Sequence, residues 1–222
     1  ASHASFLPKG ERLEVVAGSL DEPAPWRGRV AGAEAFLHLA HVGFAPQVID
    51  VCDGADLKRV IAISSTRRFT RFPERTARLV IAGEAALEAS DLDYTILRPT
   101  MIFGGDRDNN IEKITRWLAR GWPMPLVAGG RNLLQPVFVW DLVDAIVRTL
   151  RRPEQTRRRA FIVAGPSPIS QRELTEATAH AMGRRVRWIP VPLAAMMTAA
   201  WLAEMAGKAV RRKPFLARAQ VR

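Results

Sequence analysis

Short, largely apolar runs alternate along the first half of the chain with segments whose apolar residues recur every three or four positions. Leu13–Ala17 (LEVVA), Ala35–Ala40 (AFLHLA), Val60–Ser64 (VIAIS) and Tyr94–Leu97 (YTIL) have the length of strands buried on both faces. Between them, Ala45–Leu57 predicts a short helix. Thr76–Ser90 predicts a longer one, with Leu79, Val80, Gly83, Ala86 and Leu87 on the packed side. This alternation predicts an α/β fold: a parallel sheet with right-handed crossovers, its strands ending near Ala17, Leu39, Ser64 and Leu97. Further on, Asp141 is placed to cap a helix with Leu142, Ala145, Ile146 and Leu150 on one face, ending before Pro153. Ser170 and Glu173 have capping-box spacing for a helix carrying Leu174, Ala177 and Ala181 inward and stopping at Gly183. Pro136–Trp140 and Ala160–Val163 are short β-like runs. The expected division is a main domain over 1–150 and a small mixed lobe over 151–222.

Composition narrows the class. The chain has 222 residues, 48% hydrophobic and 25% charged, which excludes wholesale disorder and a fibrous protein. A single cysteine, Cys52, excludes an internal disulfide framework and points to a reducing compartment. The opening stretch ASHASFLPKGERLEVV has no apolar core of a secretion signal, and Val191–Ala203, the longest apolar-rich run, is too short to span a bilayer. A cytoplasmic protein, in one reading peripheral to a membrane, is expected.

The net charge of +11 belongs entirely to residues 151–222, which hold fifteen basic and four acidic residues; the rest of the chain is balanced. That basic third suits an anionic membrane surface or an acidic protein partner, or is simply a solvated surface. Nucleic acid is not expected, because no helix-turn-helix or aromatic-interleaved basic strip occurs. The apolar segment Leu193–Val210, followed by Arg211-Arg212-Lys213, reads either as a packing helix or as one lying on a membrane. His38 and His41 do not form a metal pair, and no metal is expected. Asp106, Asp108, Asn109 and Asn110 form a polar loop, either solvated or facing a substrate.

Five passages together carry a family likeness: FLHLAHVG (36–43), KRVIAISST (58–66), LDYTILRPTMIFG (92–104), QPVFVWDLVDAI (135–146) and SPISQRELTEATAHAMGRRVRWIPVPL (167–193). In order and spacing they resemble the extended or atypical short-chain dehydrogenase/reductase superfamily, the NAD-dependent epimerase/dehydratase-like and NmrA-like NAD(P)-binding proteins. The resemblance implies a Rossmann-like doubly wound sheet with a small mixed C-terminal lobe, and NAD or NADP as cofactor. In such sheets ligands lie beyond the carboxyl ends of the strands. By resemblance, Leu39, Ala40 and His41 lie by the adenine side. Ser64 and Ser65 lie under the nicotinamide ribose, and Arg98, Pro99 and Thr100 end the next strand, the last two beside the nicotinamide ring. Thr66 resembles the family's catalytic Ser/Thr donor.

Two departures bear on activity. The family's opening strand and glycine-rich turn, whose amides hold the pyrophosphate, have no counterpart: none of the fifteen glycines falls in a G-x-x-G-x-x-G array. The sequence therefore reads as N-terminally truncated, entering the fold at the second crossover helix and lacking the first strands. It also ends, at Arg222, earlier than members usually do, and tight dinucleotide binding by these residues alone is not expected. The superfamily's Tyr-x-x-x-Lys pair is missing as well. The one tyrosine, Tyr94, lies in a strand, no lysine occurs between Lys58 and Lys113, and in the register set by Glu84 the pair's positions fall on Thr76 and Val80. The resemblance thus implies an NAD(P)-binding, oxidoreductase- or epimerase-like protein without the usual Tyr/Lys chemistry, acting on a small or nucleotide-linked substrate if on any. The alternative is a non-catalytic regulatory or assembly subunit, like the NmrA-like regulators or the dehydrogenase-like accessory subunit of respiratory complex I.

Overall fold

The computed structural model describes residues 13–22, 24–105, 108, 110–192, 194 and 198. Its helices are α1 (Ala24–Arg27), α2 (Ala45–Gly54), α3 (Arg75–Ala89), α4 (Ile111–Ala119), α5 (Val139–Arg151), α6 (Pro153–Thr156) and α7 (Gln171–Ala181). Its strands are β1 (Phe36–His38), β2 (Arg59–Ile63), β3 (Asp93–Pro99), β4 (Ile102–Phe103), β5 (Met124–Val127), β6 (Leu133–Leu134), β7 (Val137–Phe138), β8 (Arg159–Val163), β9 (Ile169–Ser170) and β10 (Trp188–Val191). The chain forms two units, one of residues 1–98 with 145–162, the other of 99–144 with 163–222.

The first unit is built on a sheet of order β1-β2-β3-β8. β1 runs parallel to β2 from Phe36↔Val60 to His38↔Ala62, and β2 parallel to β3 from Arg59↔Asp93 to Ile63↔Leu97. The apolar runs form strands because helices cover them: Val48 and Cys52 of α2 and Val80 and Leu87 of α3 pack with Val60, Ala62, Leu92 and Ile96 in one core. Each such aliphatic side chain contributes about 1.5–3 kcal/mol on burial. Burial also pushes the Cys52 thiol up to about 11, so it stays protonated and inert near neutral pH.

Gly83 sets how closely α3 lies on the 3-10 turn Val42–Phe44. A Cβ there would stand 2.1 Å from the Val42 carbonyl oxygen, a backbone atom with no room to retreat.

The second unit holds three two-stranded pairs: β5 with β10 and β4 with β7, both parallel, and β6 with β9, antiparallel. The capping box forms as its spacing predicts, with the Glu173 amide donating to Ser170 Oγ at 3.1 Å and the Ser170 amide donating to Glu173 Oε2 at 2.8 Å. Gly183 follows α7 at φ +65°, a left-handed position suited to glycine.

Four expectations are corrected. Leu13–Ala17 is not a strand: it joins none of the described sheets, and Val15 is 54% exposed. On α3, Leu79 faces outward while Ala77 and Glu84 are buried, because Leu79 lies about 100° around the helix from Val80. On α7, Thr175 and Ala179 are buried in place of Ala177 and Ala181, a substitution of face that small side chains tolerate. On α5, Leu150 is exposed and Thr149 buried, and Asp141 lies in the first turn rather than before it. The tail over Leu193–Val210 lies outside the described residues except at 194 and 198. No described helix is long and apolar enough to cross a membrane.

Gly83→Ala is expected to destabilise the protein by about 1–3 kcal/mol, the usual effect of overpacking, despite alanine's better helix propensity. Urea denaturation checks this against Gly28→Ala, where a Cβ meets nothing within 4 Å; equal stability of the two variants would refute the close approach.

Candidate functional site

The carboxyl ends of β2 and β3 are held by one buried side chain. Glu84, wholly buried on α3, accepts from Ser64 Oγ at the end of β2, and Arg98 at the end of β3 grips it with Nη2 at 2.7 Å and Nε at 3.0 Å. Arg68, on the 3-10 turn Thr66–Phe69, adds a third contact at 3.0 Å. Arg98 is itself covered by the Phe69 ring, 5.4 Å away. Two guanidinium groups and a hydroxyl satisfy this carboxylate where water does not reach it, the condition for a charge to be tolerated in a protein interior.

Beside this cluster lies a cavity of about 380 Å³, lined by Leu39, Ala40, His41, Val42, Ile63, Ser64, Ser65, Arg67, Thr76 and Val80. Its walls are the ends of β1 and β2 and the first turns of α3. The His41 Nδ1 accepts from the Gly43 amide at 3.0 Å, and Ser65 Oγ accepts from the Arg67 amide at 3.2 Å; each caps a 3-10 turn. Their side chains therefore fix the loops that shape the cavity. His38, the last residue of β1, is buried with its Nε2 unpartnered among the described residues, and burial holds its pKa below the ordinary value.

Of the residues expected to bind cofactor, Leu39, Ala40, His41, Ser64 and Ser65 meet in this cavity. Arg98 is committed to Glu84. Thr66 opens the adjoining 3-10 turn, half-buried, and is not among the lining residues. Pro99 and Thr100 belong to the second unit, where Thr100 donates its hydroxyl to the Gln135 carbonyl and its amide to the Val163 carbonyl. In the polar loop, Asp108 accepts from the Asn110 amide at 2.6 Å, whereas Asp106 and Asn109 lie outside the described residues.

Arg67 lines the cavity although no motif singled it out; its Nη1 also meets Glu74 at 2.7 Å. Thr76 and Val80 line it too, four residues apart on one face of α3. By the family resemblance, with Glu84 in the usual register, these are the positions expected to carry the Tyr-x-x-x-Lys pair. A threonine hydroxyl has no pKa near neutrality and valine has no charge, so the pair's proton transfer has no donor or cation at these two places. Tyr94 belongs to the hydrophobic core, 9% exposed, with the Arg158 guanidinium 5.3 Å over its ring.

Residues 1–116 match a family described as NAD(P)H-binding. Over 145 residues the chain is 27% identical to the mitochondrial NADH dehydrogenase [ubiquinone] 1 alpha subcomplex subunit 9 of Arabidopsis thaliana, a match covering 64% of this chain and 36% of that protein. Over 109 residues it is 27% identical to a UDP-glucose 4-epimerase of Vibrio cholerae, covering 49% and 33%. The chain thus spans about a third of the length of these relatives. Among solved structures, an epimerase from Methanothermobacter thermautotrophicus superposes with a TM-score of 0.72 at 15% identity, over 86% of this chain and 69% of that one. A dTDP-glucose 4,6-dehydratase from Streptomyces venezuelae, solved with NAD bound, gives 0.70 at 17%, over 84% and 70%. At such identities these likenesses establish the fold, a Rossmann-like α/β architecture around a parallel sheet.

Removing the Glu84 carboxylate leaves Arg98, its side chain only 11% exposed, with the more distant and partly exposed Glu88 carboxylate at 3.5 Å as its remaining counter-charge. Glu84→Ala is therefore expected to lower stability by about 3–5 kcal/mol; a loss below about 1 kcal/mol in urea denaturation would show that the cluster is solvated. Tyr94→Phe is expected to leave any pyridine-nucleotide turnover within a few-fold of the parent. A hundredfold drop with an unchanged circular dichroism spectrum would instead give this phenol a proton-transfer role.

Proposed function

The chain belongs to the NAD(P)H-binding family, and on that premise we propose that the cavity at the ends of β1 and β2 receives part of the dinucleotide in an epimerase/dehydratase-like protein that does not use Tyr/Lys proton transfer. The observation that carries this reading is the pair Thr76 and Val80 on the cavity wall, where an acid and its activating cation would be needed. The residues present fit the cofactor: Ala40 and Ser65 keep the floor small, and about 380 Å³ is enough for a ribose with an attached ring. Leu39, Ala40 and His41 form the β1 side of the proposed subsite, Ser64 and Ser65 the β2 side, and Thr66 is the remaining hydroxyl beside it. A bound nicotinamide would supply hydride chemistry; the chain's own contribution is to position it and to limit water.

A second reading is a subunit in which the domain serves assembly. The relationship to the plant mitochondrial NADH dehydrogenase subunit favours it, as does the missing pair. Small or nucleotide-linked substrates, an NmrA-like regulatory role and a cytoplasmic site belong to the same proposal.

Isothermal titration of the 222-residue chain with NADH and NADPH is expected to read binding weaker than micromolar, since no glycine-rich turn in it holds the pyrophosphate. Saturation-transfer NMR at millimolar cofactor is expected to detect that binding and to lose it in Ala40→Trp, which fills the cavity. A signal unchanged in this variant would place the cofactor elsewhere.

A further inference from the structure

The second unit contains a concave site that shares no residue with the proposed cofactor cavity. It has a volume of about 240 Å³ and is lined by Leu118, Gly121, Trp122, Arg184, Arg185 and Arg187. Three arginines line it beside one indole, and the Arg120 guanidinium lies 5.2 Å over the ring of Trp122. Among the described residues none of these arginines forms an ion pair with a carboxylate. Glu176, the last acidic residue of α7, is already engaged by Arg172 at 2.9 Å and by the Trp188 indole at 3.3 Å.

The backbone that presents these charges is fixed. Gly183 turns the chain at φ +65°, the Arg184 amide returns to the Ala179 carbonyl at 2.8 Å, and the Met124 amide donates to the Arg187 carbonyl at 2.8 Å. Opposite, Trp122 is held edge-on against Trp117, ring centroids 5.0 Å apart, and the Trp117 indole donates to the Pro123 carbonyl. Arg184 has a structural task, donating to the Leu118 carbonyl at the end of α4 at 3.1 Å. Arg185 and Arg187 have no such partner among the described residues. Unopposed positive charge in a concavity focuses the local potential on an anion, and guanidinium forks match the oxygens of phosphate.

We infer that this pocket binds a phosphate-bearing ligand, with Arg185 and Arg187 as its contacts, Arg184 fixing its rim and Trp122 its wall. The phosphate belongs either to a soluble ester or to a lipid headgroup.

Titration of the full chain with inorganic phosphate, followed by ³¹P NMR, is expected to show one saturable site. Arg185→Ala/Arg187→Ala is expected to weaken it about tenfold or more, the scale of losing charged hydrogen bonds. Arg151→Ala/Arg152→Ala removes the same charge from the first unit and is expected to leave binding within about twofold. Equal weakening by both double variants would reduce the effect to net charge and overturn the site, as would an absence of saturable binding. Flotation with phosphatidylcholine vesicles, with and without phosphatidic acid, separates the sources. Retention that needs phosphatidic acid and Arg185/Arg187 assigns a lipid phosphate, and saturable phosphate binding without retention assigns a soluble one; either upholds the site.

Discussion

The buried carboxylate of Glu84 holds the first unit in register. It meets Ser64, Arg68 and Arg98, and so ties one helix to the ends of two strands and to the turn between them. Such a cluster does not add much net stability, because desolvating charges offsets their attraction. Its effect is geometric. With the carboxylate in place, α3 has one rotation about its axis and β2 and β3 end at one level.

The cavity follows from that rotation. Thr76, Val80 and Glu84 are spaced four residues apart and form a single stripe along α3, so fixing Glu84 inward turns Thr76 and Val80 toward the ends of β1 and β2. Gly83, beside Glu84, lets the same helix approach the Val42 carbonyl closely enough to close the wall. The parallel-sheet architecture is thus kept with a hydroxyl and an aliphatic side chain, Thr76 and Val80, on the cavity wall.

Among the described residues of the basic last third, two kinds of arginine stand apart. Arg158 lies over Tyr94 and donates to the Ser90 and Leu92 carbonyls, Arg159 lies over Phe161, and Arg157 stands 3.9 Å from Asp93. These use their stems and planar heads as packing and bridging groups. Arg185 and Arg187 are different: they line a pocket whose lining holds no carboxylate. The total of +11 says nothing of this distinction.

Local rules made much of the fold legible in the sequence. Three of the apolar runs became β1, β2 and β3, the β-like run Ala160–Val163 became β8, the capping box and Gly183 bounded α7, and the likeness to NAD(P)-binding proteins follows from motifs lying on those same strands. Each of these depends on a residue and its near neighbours in the chain. What depends on a distant partner was not legible. Leu13–Ala17 has the composition of a strand and joins none of the described sheets, and Leu79 and Glu84 exchange the faces that hydrophobicity alone would assign them. The convergence of Arg67, Thr76 and Val80 on one cavity, and of Trp122 with Arg185 and Arg187 on another, joins residues far apart in sequence. Periodicity specifies that a helix will have an inner face, but a charge is buried only where opposite charges meet it. Only the tertiary structure brings Arg68 and Arg98 to Glu84.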